Sequence, residues 1–454
     1  MRLLFCCNLY HPSRGGVQEV MRQIAERMAR LGHDVTVATG YLADRDFDVL
    51  NGVRVRQFKV SGNLVAGIKG EADRYRDFVA GFGADAILIK AAQQWTFDAL
   101  WAALDRLRAR KVFVPCGFSL LYHPDFAGYY RQMPEVLRKF DHLIFYAEKY
   151  RDTDFARAHG CCNFSIVPNA ASEAEFDESF DCGVRARLGV SEEDFVFLSV
   201  GSPILGKGHG EIAEAFARLD TRGRPAALIL NGSWPPPSRS RLPRVEWAGI
   251  GLRTVRRAGR MALRHAYRAM RSLREGWPGM QLRGAAVGQP RHSLSQVEQW
   301  VARANAQSCK RVLQLDLPRP ELVNAFKTAD LFVFASNVEY SPLVLFEAAA
   351  AGTPFLSVPV GNAEEIARWT GAGWICPAPR DPYGFTRAEP SVLAREMERS
   401  MTDPDGLARL AATGRARWRE RFTWKDIVLQ YEAILAGREV DNGIRSGRPE
   451  PIVL

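Results

Sequence analysis

Three clusters place chemistry-bearing residue types at spacings that suit an anionic, hydroxyl-rich ligand. Gly15-Gly16 follow the apolar run Leu3-Leu-Phe-Cys-Cys7 and open a helical pattern. Glycines at such a junction let a phosphate approach backbone N–H groups at the positive end of a helix. Gly201…Lys207-Gly208 repeats the arrangement at a second junction, but Gly208-His209 follow the lysine where a P-loop would have Ser or Thr. A lysine at a helix start opposes the macrodipole, and a bound anion would rationalise it. The third cluster is Glu339-Tyr-Ser-Pro-Leu-Val-Leu-Phe-Glu347, with Glu339 in a loop and Glu347 in the first turns of the next helix. A carboxylate facing a cleft there accepts two hydrogen bonds from vicinal hydroxyls of a ribose or hexose. The plainer alternatives are an ordinary turn for the glycine pairs and a carboxylate complementing a helix N-terminus for the acids.

The elements that must position these clusters alternate strand and helix. Leu3–Cys7 reads as a strand buried on both faces, His11–Val17 as turn chemistry, and Val20, Ile24, Met28 and Leu31 as one face of a helix stopped by Gly32. Val35–Ala38, Ala86–Ile89, Lys111–Val114, His142–Phe145 and Phe164–Val167 are further strands, most of them separated by helical stretches. The pattern restarts after residue 180 with strand Phe195–Val200, helix Glu211–Leu219 and strands Ala226–Leu230 and Arg311–Leu315. Helix Glu321–Thr328, strand Leu331–Ala335, helix Leu345–Ala351 and the short strand Pro354–Val358 complete it. Alternation of this kind predicts two doubly wound parallel sheets, with a boundary near Pro168–Gly183 and ligands in the cleft between the halves.

Composition excludes several classes. The 454 residues are 47% hydrophobic and 25% charged, with 38 Gly and 25 Pro, which fits neither a collagen-like nor a disordered chain. No stretch reaches the roughly 18 uncharged apolar residues of a membrane-spanning helix. The apolar run at the start is too short for a secretory signal, so a cytoplasmic protein is expected. Eight cysteines occur without a C-x-x-C pair, which predicts reduced, buried thiols and no metal site. The net charge of +10 is local: Arg239–Arg291 holds thirteen Arg, no Lys and two acids. If residues 251–275 form a helix, Arg253, Arg256, Arg257, Arg260, Arg264, Arg268, Arg271 and Arg274 share about a third of its circumference. Leu252, Val255, Leu263, Ala266, Met270 and Leu273 gather opposite. Such a helix is either a solvated one packed on its own domain or, since like charges three and four residues apart repel without an anion, one that lies on an anionic membrane surface or lines the approach of a lipid diphosphate, which would place the protein at the inner face of the membrane. Aromatics are not interleaved with the arginines, so nucleic acid is not an expected partner.

Taken in order, the motifs resemble the retaining glycosyltransferases of family 4, whose fold is GT-B: two Rossmann-like domains facing across a cleft. Met1–Gly40 is similar to the family's first strand, glycine loop and helix, and Val167-Pro-Asn-Ala170 to its interdomain I-P-N-G. Val200-Gly…Lys207-Gly208 matches V-G-R-L…K-G, and Glu339…Glu347-Ala-Ala-Ala-Ala-Gly-Thr-Pro354 matches E-x7-E-A-x-A-x-G-x-P. Phe422-Thr-Trp424 and the following helix match the closing segment. The resemblance covers nearly the whole chain except about 234–300. It implies an acceptor domain over 1–175, a nucleotide-sugar domain over 176–415 with an Arg-rich helical insertion, and a helix in 416–454 that crosses back.

The roles it implies belong to a metal-independent hexosyltransferase without a cofactor, using a nucleotide-sugar donor and a glycan or lipid-linked acceptor in cell-surface polysaccharide synthesis. Gly15 and Gly16 would face the donor diphosphate or the acceptor, and Lys207 would neutralise the departing diphosphate. Glu347 would bind the ribose, and Glu339 with the amides of Leu343 and Val344 would hold the sugar and phosphate. Gly201 and Ser202 fall in the donor loop. Three positions depart from the pattern: Ser202 replaces the family's Arg, Cys116-Gly117 stands where His-Gly is usual, and Ala170 replaces Gly. Cys116 thus becomes the candidate sugar contact, and His123 a nearby substitute or a plain surface histidine. A sugar-nucleotide epimerase or a catalytically weak nucleotide-sugar-binding protein remain rival readings.

Overall fold

The computed structural model describes residues 1–177, 183–202, 206–234, 292–381 and 384–440. The Arg-rich segment, with its expected helix over 251–275, lies outside the described residues, as does Cys182.

In the first half the strands are β1 (Arg2–Cys6), β2 (Asp34–Gly40), β3 (Val49–Leu50), β4 (Val53–Phe58), β5 (Val60–Ser61), β6 (Lys69–Gly70), β7 (Ala86–Lys90), β8 (Arg110–Val114), β9 (His142–Phe145) and β10 (Phe164–Ile166). Eight of them form one sheet in the order β10-β9-β8-β7-β1-β2-β4-β3, parallel except for the short β3–β4 pair, and β5 with β6 make a small antiparallel ladder. The second half contributes β11 (Phe195–Val200), β12 (Ala226–Asn231), β13 (Lys310–Leu315), β14 (Leu331–Phe334), β15 (Phe355–Ser357) and β16 (Gly373–Ile375). They form an all-parallel sheet in the order β13-β12-β11-β14-β15-β16.

The unbroken apolar run of β1 has a direct physical reason. Leu3 and Phe5 point into one core and Leu4 and Cys6 into another, because helices cover both faces of the sheet. On one face the helix Gly16–Arg30 buries Val20, Met21, Ile24, Ala25 and Met28. On the other, Tyr75, Trp95, Phe97, Phe113 and Met133 pack together, with Phe97 stacked on Phe113 at 4.1 Å. The second sheet has a single large core around Phe197, Leu198, Leu228, Phe332 and Leu356.

Two crossings join the halves, and they touch. The outbound chain passes Val167–Ala171, and the return comes at Phe422–Thr423, where Ala171 and Thr423 form a parallel bridge. The Ala171 amide donates to the Phe422 carbonyl at 3.1 Å, and the Trp424 amide to Ala171 at 3.3 Å. Thr423 caps the last helix, Trp424–Leu435, by accepting from the Asp426 amide at 3.2 Å. That helix lies against Gly16–Arg30 and places Trp424, Ile427, Val428, Tyr431 and Ile434 inside the first half's core. Among the described residues no helix is long and apolar enough to cross a membrane. The seven described cysteines are free; Cys6, Cys7, Cys161 and Cys376 are buried, while Cys162 is exposed, contrary to the expectation that all would be inside.

Each sheet reverses its strand order once, between β1 and β7 in the first and between β11 and β14 in the second. Ligands of open α/β sheets bind beyond the carboxyl ends of the strands at such reversals.

Candidate active site

The two reversals border one cleft of about 460 Å³. Beyond β1 the chain turns at Gly15 into the helix Gly16–Arg30; a Cβ on Gly16 would lie 3.9 Å from Cδ1 of Leu343, so the two halves meet there. Beyond β11, Ser202 and Lys207 reach the cleft before the helix His209–Arg218. Gly208 turns the chain with φ of 77°, and a Cβ there would strike the Ala335 carbonyl oxygen at 2.1 Å, so this position demands glycine on both counts. Beyond β14, the loop Val338–Pro342 leads into the helix Leu343–Ala351, whose N-terminus faces the cleft.

The Lys207 ammonium is bonded to the Glu339 carboxylate, which also accepts from the Ser336 hydroxyl at 3.3 Å. Both side chains retain partial exposure, 26% for Lys207 and 21% for Glu339, so a ligand can reach them. Behind Lys207, burial pushes the His209 imidazole down to about 4. The ring is therefore neutral near pH 7, and Nε2 donates to the Gly201 carbonyl at 3.1 Å, steadying the loop.

Three consecutive residues of the second half are held by the first. The Tyr150 hydroxyl donates to the Glu339 carbonyl at 2.7 Å. The Tyr340 ring lies 5.4 Å from Tyr146 and 4.8 Å from Tyr150, and its oxygen accepts from the Tyr146 amide at 2.9 Å. Asn169, of the Val-Pro-Asn-Ala crossing, donates to the Ser341 carbonyl at 2.9 Å. Glycine at 117 makes room for this: it has φ of 89°, and a Cβ would meet the Tyr340 ring at 2.9 Å.

Beside Tyr340, Asp152 accepts from the Gly117 amide at 2.8 Å and from the Thr153 amide at 3.0 Å. Burial nevertheless pushes its carboxyl from the ordinary 3.8 up to about 7. A raised carboxyl favours the protonated folded state, so its contribution to stability is complete below about 3.8 and is lost as pH rises through 7. Melting temperatures measured between pH 5 and 8 are expected to fall less steeply in Asp152→Asn than in the wild type. Parallel slopes would show that Asp152 is ionised throughout.

Of the residues singled out in the sequence, Gly15, Gly16, Cys116, Ser202, Lys207, Glu339 and Leu343 all border the cleft. Gly201 and Val344 do not line it, though each adjoins a residue that does, and the Gly201 amide is tied to the Asn231 carbonyl at 3.0 Å. Glu347 is elsewhere: it is 7% exposed and paired with Arg319 at 2.7 Å, and Arg319 also holds Glu175 at 2.7 Å. Burial pushes the Glu347 carboxyl above its ordinary value against the pull of Arg319. His123 does not border the cleft and is partly buried, its side chain 13% exposed; Nδ1 accepts from the Asp125 amide at 3.3 Å, capping the short turn Pro124–Phe126.

Sequence reasoning missed Arg14, Lys90, Tyr340 and Arg319. It also missed that Ala91, Gln93, Cys116 and Phe118 all have positive φ, 71°, 65°, 62° and 47°. Strained backbone of this kind concentrates where a structure holds a ligand wall, and here it lies beyond the neighbouring strands β7 and β8.

Comparison with known proteins agrees with this fold. Residues 15–161 match a family described as glycosyl transferase 4-like domain, and residues 292–410 match glycosyl transferases group 1. The two matches together span more than half of the sequence, and the chain belongs to the glycosyltransferases of this group 1, family 4 type, with the GT-B fold. The sucrose-phosphate synthase of Thermosynechococcus elongatus superposes with a TM-score of 0.66 at 18% identity, over 96% of this chain and 99% of that one. The HepE protein of Anabaena, solved in complex with UDP, gives 0.64 at 16% identity, over 96% and 100%. The glycogen synthase of Mycobacterium tuberculosis is 35% identical over 111 residues, 24% of this chain and 25% of the relative. The chain's match thus spans about a quarter of that curated relative.

Proposed function

We propose that the protein is a retaining, metal-independent glycosyltransferase that moves a sugar from a nucleotide-sugar donor, of the UDP-glucose kind, to a glycan or lipid-linked acceptor. The observation that carries this reading is the Lys207–Glu339 pair at the second reversal, opposite the glycine-led helix start of the first. A donor diphosphate lies between Lys207 and the N-terminus of the helix Leu343–Ala351, where a cation and unpaired amides both favour negative charge. That the Anabaena neighbour was solved with UDP supports a uridine nucleotide as the kind of donor.

The chemistry then needs no protein nucleophile. The bond from the anomeric carbon to the diphosphate oxygen breaks, and the acceptor oxygen attacks the same face. Its proton passes to an oxygen of the leaving phosphate. Glu339, displaced from Lys207 by the diphosphate, accepts hydrogen bonds from the sugar hydroxyls, and Lys207 stabilises the charge that develops on the leaving group. Positioning and charge stabilisation supply the rate. The assay is release of nucleoside diphosphate from a panel of sugar nucleotides with glycan and lipid-linked acceptors, in the presence and absence of chelator. Turnover that survives the chelator, with the donor's anomeric configuration kept in the product, is the expected result. Binding of the nucleotide without any turnover would instead make the protein a nucleotide-sugar binder, consistent with Ser202 in place of a second cation.

Glu347 enters through the ribose. Glu347 stands outside the cleft lining, so the ribose role that the resemblance assigns requires its carboxylate to share its hydrogen bonds between Arg319 and the ribose hydroxyls; Glu347→Gln then loses a charged acceptor worth about 1.5–3 kcal/mol. UDP affinity measured by titration is expected to fall about tenfold or more. Unchanged affinity would leave Glu347 as a purely structural partner of Arg319.

A further inference from the structure

Lys90 ends β7, one of the two strands flanking the first sheet's reversal, and it is 1% exposed while bordering the cleft. The ends of the neighbouring strands surround it, with Cys7 following β1, Cys116 beyond β8 and Tyr146 after β9. Its ammonium donates to the Tyr146 hydroxyl and lies 4.9 Å from that ring. An ammonium has three donors, and among the described residues none of its other N–H groups finds an acceptor and no carboxylate lies within ion-pair reach. The groups that act on it electrostatically are the thiols of Cys116 and Cys7, and burial pushes it below the ordinary lysine value. A buried charge without a counterion is destabilising and persists where a ligand supplies one.

The surroundings point the same way. Glu339 is the one carboxylate among the described residues bordering the cleft, and Lys207 already holds it. Arg14, in the loop before Gly15, borders the cleft with no ion pair among the described residues. Among the described residues the first half's wall therefore presents two cations and no acid, next to Asn8, Gln93 and Ser119 as hydrogen-bonding groups. The strained residues Ala91, Gln93 and Cys116 fix the wall on both sides of Lys90.

We propose that this wall receives an oxyanion of the acceptor, a phosphate or a carboxylate, with Lys90 as the buried contact and Arg14 at the rim. The acceptor is then an anionic sugar or lipid-linked sugar, and Lys90 selects it. This rests on the glycosyl-transfer reading, because the donor's own phosphates belong at the second reversal beside Lys207.

The test titrates inorganic phosphate, and separately acetate, into UDP-saturated protein by calorimetry, so that the donor site is already filled. Wild type is expected to bind at least one of the two, and the stronger binder names the phosphate or the carboxylate. Lys90→Met is expected to weaken that binding tenfold or more, and Lys90→Arg to restore it to within threefold. Circular dichroism checks the fold of each variant; should Lys90→Met not fold, loss of anion binding in Arg14→Gln takes its place. Failure of wild type to bind either anion, or equal binding by the neutral variants, overturns the proposal. Failure of UDP itself to bind overturns the glycosyl-transfer reading instead, so the two outcomes are distinct.

Discussion

Lys207→Ala is expected to lower turnover about 100–1,000-fold, the range found when a group that stabilises developing negative charge is removed from an active site. The argument is electrostatic. Lys207 is one of two cations expected on the leaving diphosphate by family resemblance, and the other position is Ser202, so the loss falls on a single ammonium. Stability should change far less, because a pair in which both partners remain a fifth to a quarter exposed contributes about 1 kcal/mol or less. The alanine variant should therefore melt within a few degrees of wild type while its kcat collapses. Lys207→Arg, which keeps the charge, should recover part of the loss. If the alanine variant retains turnover within about threefold of wild type, the leaving-group role is wrong.

Trp424→Ala is expected to be the most damaging change to stability. The indole is 2% exposed and packs in the core of the first half, although it comes from the far end of the sequence. Truncating a buried tryptophan costs about 3–5 kcal/mol, and a domain of this size loses about 2–4 °C per kcal/mol, hence about 6–20 °C in Tm. The loss should appear in the transition of the first half. A scan that shows a shift below about 3 °C would mean that the last helix contributes little to that core.

The fold was legible because its strands are continuous apolar runs, the pattern of a parallel sheet covered on both faces, and β1, β7, β9 and β11 all lie within a residue of where their runs predict. β4 was also readable and was overlooked: Val53 and Val55 are buried while Arg54 and Arg56 are exposed, a period-two alternation typical of a strand near a sheet edge. β16, only Gly373–Ile375, is too short to carry a pattern. In the site, Lys207 and Glu339 could be found because each follows a strand and belongs to a spaced motif. Lys90 could not, because a lysine ending an apolar run looks like a solvated strand end until three neighbouring strands close around it. Arg319 stands 28 residues before Glu347 in sequence, and nothing in local spacing connects them. Left-handed backbone at Ala91, Gln93, Cys116 and Phe118 leaves no trace at all, since none of these is glycine.

The return crossing at Phe422–Thr423 also sets the order in which the molecule can be completed during synthesis. β1 to β10 leave the ribosome first, but the face of their sheet that needs Trp424, Ile427 and Tyr431 stays uncovered until the second half has been made. At about 5–20 residues per second that interval is on the order of 10–50 s. Throughout it, Val20, Met21 and Ile24 hold one side of an unfinished interface, a surface that a chaperone binds and a protease can enter. Any nascent chain stalled before residue 424 should therefore be soluble only with such help, even though its first sheet is complete.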